Sequence, residues 1–148
     1  MANEFGLYQE VAVKLLLSAF LGGLIGLERE VHEKPAGVRT QALISLGSAL
    51  FMILSIYVRD KFGSTTADPG RIAAQVITGI GFIGAGVIFQ ARGSIKGLTT
   101  AATIWSVTGV GLAVGCGYYM AALTAAAIIL IILLGIGKIE QLLIRKEQ

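Results

Sequence analysis

Residues 72–91 read IAAQVITGIGFIGAGVIFQA, twenty positions without a charge, four of them glycine: Gly79, Gly81, Gly84 and Gly86. At a helical rise of about 1.5 Å per residue, twenty residues cover roughly 30 Å, the thickness of a bilayer's hydrocarbon core. In water each glycine costs a helix about 1 kcal/mol relative to alanine. In lipid the balance changes. Unpaired backbone groups are so costly there that the helix persists, and glycine lets a second helix approach closely. The stretch reads as a membrane helix built for tight contact.

The remainder of the chain supports that reading. Charged residues make up 14% of the 148 positions, well below the quarter or so typical of soluble domains, and the mean hydropathy is +0.78. This length suits a single domain, residues 1–148. The net charge of +3 is spread over short clusters between apolar runs, which argues against a nucleic-acid partner. Cys116 is the only cysteine, so neither a disulfide framework nor a cysteine-based metal site is expected. The N-terminal MANEFGLYQE has no basic region of the kind that opens a signal peptide, and the first apolar run reads as a retained helix.

The expected fold is an all-α membrane protein with five transmembrane helices packed through glycine-rich faces. The spans are residues 8–27, 40–58, 72–89, 98–114 and 118–136. The last two divide a stretch of forty-one uncharged residues, 97–137, at Gly115-Cys116-Gly117, where glycine ends a helix readily. No strand alternation of useful length appears, which argues against a membrane barrel. Basic residues set the orientation. Arg29, Lys34, Arg39, Arg92, Lys96, Lys138, Arg145 and Lys146 share one side, against Arg59, Lys61 and Arg71 on the other. The C-terminus is therefore expected in the cytoplasm and the N-terminus outside. Residues 137–148 read as a cytoplasmic extension of the fifth helix.

Glycine spacing predicts where helices meet. Gly22 and Gly26 form a GxxxG pair in the first span, Gly111 and Gly115 another in the fourth, and Gly79 and Gly86 share a face of the third. Such faces pack either within the chain or between copies. Glu10 and Lys14, spaced i, i+4, suit a helix ion pair near the outer interface. At the cytoplasmic mouth, Glu28, Arg29 and Glu30 close the first helix, and Arg39 and Thr40 open the second. These charges suit either an ion or phosphate-like ligand or an ion-pair lattice, with Arg39 pairing with Glu28 or Glu30.

Asp68-Pro69-Gly70-Arg71 opens the third helix, with aspartate as N-cap and proline in the first turn. Gln75, one turn further in, needs a hydrogen-bonding partner on another helix and forms with Asp68 and Arg71 a polar gate on the outer side. Thr99, Thr100, Thr103, Ser106 and Thr108 supply hydroxyls that either bond their own backbone or bridge helices. Trp105, in mid-span, is expected inside the bundle with its N–H satisfied. His32, the single histidine, reads as an inert loop residue more readily than as a ligand. No nucleophile–base pair, metal-ligand cluster or phosphate-cradling loop stands out, so no catalytic, metal or cofactor site is expected. GIGFIGAG lacks the strand–turn–helix context of a dinucleotide fingerprint.

Three ordered motifs carry a family resemblance: GLERE and PAGVRT within residues 26–40, DPGRIAAQVITGIGFIGAGVIF at 68–89, and KGLTTAATIW at 96–105. Together they resemble the MgtC/SapB family of bacterial membrane proteins over about residues 10–137. The resemblance implies a multi-pass inner-membrane domain and a non-enzymatic regulator in adaptation to low magnesium or other stress, associated with virulence in relatives. It implies action by helix–helix contact, as a homodimer or other homo-oligomer, or with other inner-membrane proteins such as the ATP synthase. The alternative is a transporter or channel for magnesium or another ion. The soluble C-terminal domain of the family's founding member has no counterpart in the sequence, so only the membrane part carries over. Its functional positions would be Glu28, Arg29, Arg39, Thr40, Asp68, Arg71, Gln75, Thr99, Thr100 and Trp105, with Gly22, Gly26, Gly79, Gly81, Gly84 and Gly86 as helix contacts.

Overall fold

The computed structural model describes residues 2–62, 68–91 and 93–136. Five α-helices follow one another: α1 (Ala2–Val31), α2 (Val38–Phe62), α3 (Pro69–Gly86), α4 (Leu98–Gly115) and α5 (Tyr119–Ile131). A π-helical turn, Ile132–Ile136, continues α5. Gly6–Val31, Val38–Phe62 and Leu98–Gly115 are long and apolar enough to cross a bilayer, and Tyr119–Gly135 is a shorter apolar helix.

The segment that opens the sequence reading differs from expectation at its end. Helix α3 stops at Gly86, and Phe89–Ala91 and Ser94–Lys96 pair as a short antiparallel hairpin. The run Val87-Ile88-Phe89 is β-branched and aromatic, and Gly93 supplies a positive φ of 82° in the turn. Gly97 then re-aims the chain into α4 with φ 89°, and a Cβ there would collide with the Val87 carbonyl. Only glycine fits both constraints.

The turns from α1 to α2 and from α4 to α5 use one device. At the end of α4, the Tyr118 N–H donates to the Ala113 carbonyl (2.8 Å) and the Gly117 N–H to Val114 (3.0 Å), a Schellman motif with Gly117 left-handed as expected. At the end of α1, the Lys34 N–H donates to Arg29 (2.8 Å) and the Glu33 N–H to Glu30 (3.1 Å). Here the left-handed position is Glu33, with φ 53°. The α2 start is tied back to this turn, because the Val38 N–H donates to Glu30 Oε2 at 2.9 Å. Glu30 thereby satisfies one of the orphan donors of α2.

Helix α4 is central, packed against α1, α2, α3 and α5. Leu21 and Ile25 of α1, Val107, Val110 and Val114 of α4, and Ala122 and Ala126 of α5 form the apolar core. On the other flank glycine replaces side-chain packing with backbone contact. A Cβ on Gly22 would lie 2.5 Å from the Gln41 carbonyl oxygen, and one on Gly26 would lie 2.7 Å from that of Gly37. From α4, a Cβ on Gly115 would lie 2.6 Å from the Ala49 carbonyl oxygen, and one on Gly111 would overlap the Ser45 carbonyl. Both GxxxG pairs therefore press on the backbone of α2 and its immediate approach, and they converge at Ser45.

Candidate functional site

The polar side chains fall into three places along α2. The first is its N-terminal end. Arg29, 5% exposed, reaches from α1 to α4 and places Nη2 3.4 Å from Thr100 Oγ1. Its Nη1 lies 3.6 Å from Glu28 Oε2, and Glu28 is buried too. His32 Nδ1 lies 2.8 Å from the Glu28 carbonyl oxygen and 3.3 Å from Glu28 Oε1, with the ring half exposed. This arrangement brings together three of the expected residues, Glu28, Arg29 and Thr100.

Arg39, Thr40 and Thr99 do not join them. All three are exposed, and among the described residues Arg39 forms no ion pair. The expected Arg39 pairing with Glu28 or Glu30 is thus replaced by two other arrangements. Glu28 lies beside Arg29, and Glu30 turns to the α2 backbone instead. A backbone donor at a helix start is a fixed partner, whereas Arg39 points outward from the first turn of α2.

The second place lies about 25 Å along α2, at the helical rise of 1.5 Å per residue. There Ser55, Val58, Asp68, Arg71, Ile72, Ala74 and Gln75 line an open cleft of about 440 Å³. Asp68 caps α3 by accepting from the Gly70 N–H at 2.8 Å, and Ser55 Oγ donates to the Pro69 carbonyl at 3.1 Å. The cleft brings Asp68, Arg71 and Gln75 together. Gln75, expected to bond to another helix, is exposed and has no such bond among the described residues.

The third place escaped the sequence reading. Gln41, Ser45, Ser48 and Ser55 form a buried stripe on α2. Their spacing of four, three and seven residues marks one helix face, a signal present in the sequence as polar residues at helical intervals in an apolar span. Ser48 bonds back to the Ile44 carbonyl at 2.7 Å. On α4 the hydroxyls of Thr103, Ser106 and Thr108 likewise return to carbonyls four residues earlier, at 2.8, 2.9 and 3.0 Å. Trp105, expected inside, is 59% exposed. It sits on the outer side of α4, flanked in sequence by the buried Ile104 and Val107, because the inward face of the helix is filled by those residues.

Glu10 and Lys14 pair at 2.6 Å along α1. The α3 glycines diverge from the other pairs. A Cβ on Gly84 would lie 3.7 Å from Ala101 Cβ, an ordinary contact, whereas Cβ atoms on Gly79, Gly81 and Gly86 would meet nothing within 4 Å. Among the described residues, no three His, Cys, Asp or Glu side chains stand close enough to share a metal ion.

The model of the MgtC family matches residues 15–142. Protein MgtC of Salmonella typhimurium (strain LT2) is 45% identical over 119 residues, 80% of this chain and 48% of the relative. Putative magnesium transporter YhiD of Escherichia coli K12 is 45% identical over 130 residues, 84% of this chain and 59% of the relative. An uncharacterized protein of Haemophilus influenzae is 46% identical over 123 residues, 80% of this chain and 52% of that protein. The chain spans about half the length of the curated relatives it matches. No solved structure matches it.

Proposed function

The chain belongs to the MgtC family, and from that premise we propose a multi-pass inner-membrane protein that acts by helix–helix contact during adaptation to low magnesium. Five spans cross the bilayer, the N-terminus lies outside and the C-terminus in the cytoplasm, following the eight-to-three bias of basic residues. The observation that carries the contact reading is the outer face of α3. Gly79 and Gly86, which share a face, have open space where Gly22, Gly26, Gly111 and Gly115 have backbone. Phe82, between them, is 87% exposed. Small residues with a projecting ring beside them are suited to receiving another helix, from a second copy or from a different membrane protein.

A transporter is the second reading, favoured by the cleft at Asp68 and by the printed name of the Escherichia coli relative. Two features weigh against a magnesium site there. The Asp68 carboxylate is engaged as the cap of α3, and Arg71 lines the same cleft with a positive charge. Magnesium dehydrates reluctantly and is held by carboxylates in near-octahedral geometry.

Growth in low magnesium tests the contact reading. A deletion strain carrying the Gly79→Leu variant should fail to grow although the protein reaches the membrane at the parental level. Growth restored by Gly79→Leu but lost with Asp68→Ala would favour the cleft, and with it the transporter.

A further inference from the structure

Gln41 and Ser45 stand one turn apart on α2, both fully buried. Gln41 Oε1 and Nε2 and Ser45 Oγ have no hydrogen-bond partner among the described residues. Ser45 sits at a triple junction. Its Cβ would be 2.7 Å from a Cβ on Gly22 of α1, and its carbonyl is what Gly111 of α4 approaches. The Gln41 carbonyl faces Gly22 in the same way. The two side chains are therefore enclosed between α1, α2 and α4, where lipid and bulk water do not reach.

An amide and a hydroxyl buried in this way call for a hydrogen-bonding partner, because leaving them without one costs free energy comparable to their whole desolvation. The donor and acceptor inventory selects the ligand. Gln41 offers two N–H donors and a carbonyl acceptor, and Ser45 offers one donor and two lone pairs. A cation would satisfy the oxygens and leave the amide N–H groups bare. An anion would satisfy the donors and leave the amide oxygen bare. A small neutral molecule that both donates and accepts satisfies all three atoms, and water is the smallest such molecule.

We propose that the α1–α2–α4 junction is a buried hydration site, in which water bridges the Gln41 amide and the Ser45 hydroxyl and is enclosed by the Gly22 and Gly111 contacts. The Gln41–Ser45 end of the α2 stripe is then a wet site inside the bundle, about three turns from Ser55, the stripe residue that lines the Asp68 cleft, and it is independent of the helix-contact reading.

The full chain in detergent or nanodiscs tests it in two ways. Gln41→Met keeps the side-chain length and removes every polar atom. With a bridging water its unfolding midpoint falls by about 3–6 °C, and Ser45→Ala falls by less. If the amide stands unpartnered, Gln41→Met leaves the midpoint unchanged or raises it, and the proposal fails. A midpoint of the parent that rises with sodium or potassium but not with choline, and loses that response in Gln41→Met, would make the ligand a monovalent cation and overturn the water assignment. An experimental map that shows ordered water elsewhere in the protein should show density within hydrogen-bonding distance of both side chains. A site filled by apolar side chains alone would contradict the proposal.

Discussion

Arg29 and Thr100 are seventy-one residues apart in sequence, yet the guanidinium of the first donates to the hydroxyl of the second at 3.4 Å in the buried end of the bundle. The contact ties the last turn of α1 to the first turn of α4, where Thr100, unlike Thr103 and Thr108, has no helical carbonyl four residues earlier to bond. Valine at position 100 keeps the shape and removes the acceptor, leaving a buried charge short of a partner. We expect Thr100→Val to lower stability by about 1–3 kcal/mol and Thr100→Ser to retain most of it, measured by thermal unfolding in detergent. Equal stability of all three proteins would mean that the Arg29–Thr100 contact contributes nothing.

The glycines divide into two classes, and substitution separates them. Alanine at Gly111 or Gly115 places a methyl group against the α2 backbone. Overpacking of that kind costs about 1–3 kcal/mol, sometimes more. Alanine at Gly79 meets open space and gains helix propensity, about 0.5–1 kcal/mol. The unfolding midpoint of Gly111→Ala should fall, and that of Gly79→Ala should stay level or rise in a dispersed monomer. A drop for Gly79→Ala as large as for Gly111→Ala would show that α3 packs as tightly in the bundle as α4 does.

Glu33 occupies a left-handed position that Gly117 fills in the equivalent turn after α4. A side chain with a Cβ pays about 1 kcal/mol there that glycine does not. Glu33→Gly should therefore raise the unfolding midpoint slightly. A decrease would mean that the Glu33 side chain makes a contact worth more than the strain.

Much of this was legible in the sequence because the signals were local. The Gly115-Cys116-Gly117 turn, the Asp68 cap, the Glu10–Lys14 pair and the two GxxxG pairs each depend on residues within a few positions. Pairings across the fold were not legible. Nothing near Arg29 in sequence selects Thr100 over Glu30, and nothing near Arg39 shows that Glu30 is already engaged by the Val38 N–H. The burial of Gln41 and the exposure of Trp105 depend on which face of each helix the others cover. The segment 72–91 misled at its end for a different reason. An uninterrupted apolar composition does not distinguish a helix from a helix followed by a short hairpin strand.

Orientation has a direct reporter. A fluorescent protein fused after Gln148 should fold and glow, and an export-dependent reporter at the same place should stay inactive. The reverse pattern would invert the topology and place the Glu28–Arg29–Thr100 end outside.

Magnesium flux into liposomes tests the central claim most directly. Purified protein reconstituted at known density, with a magnesium-sensitive dye inside the vesicles, should give uptake no faster than empty vesicles. Uptake well above that background, and abolished by Asp68→Ala in protein that still folds, would contradict the contact account and assign transport to the cleft lined by Asp68, Arg71 and Gln75.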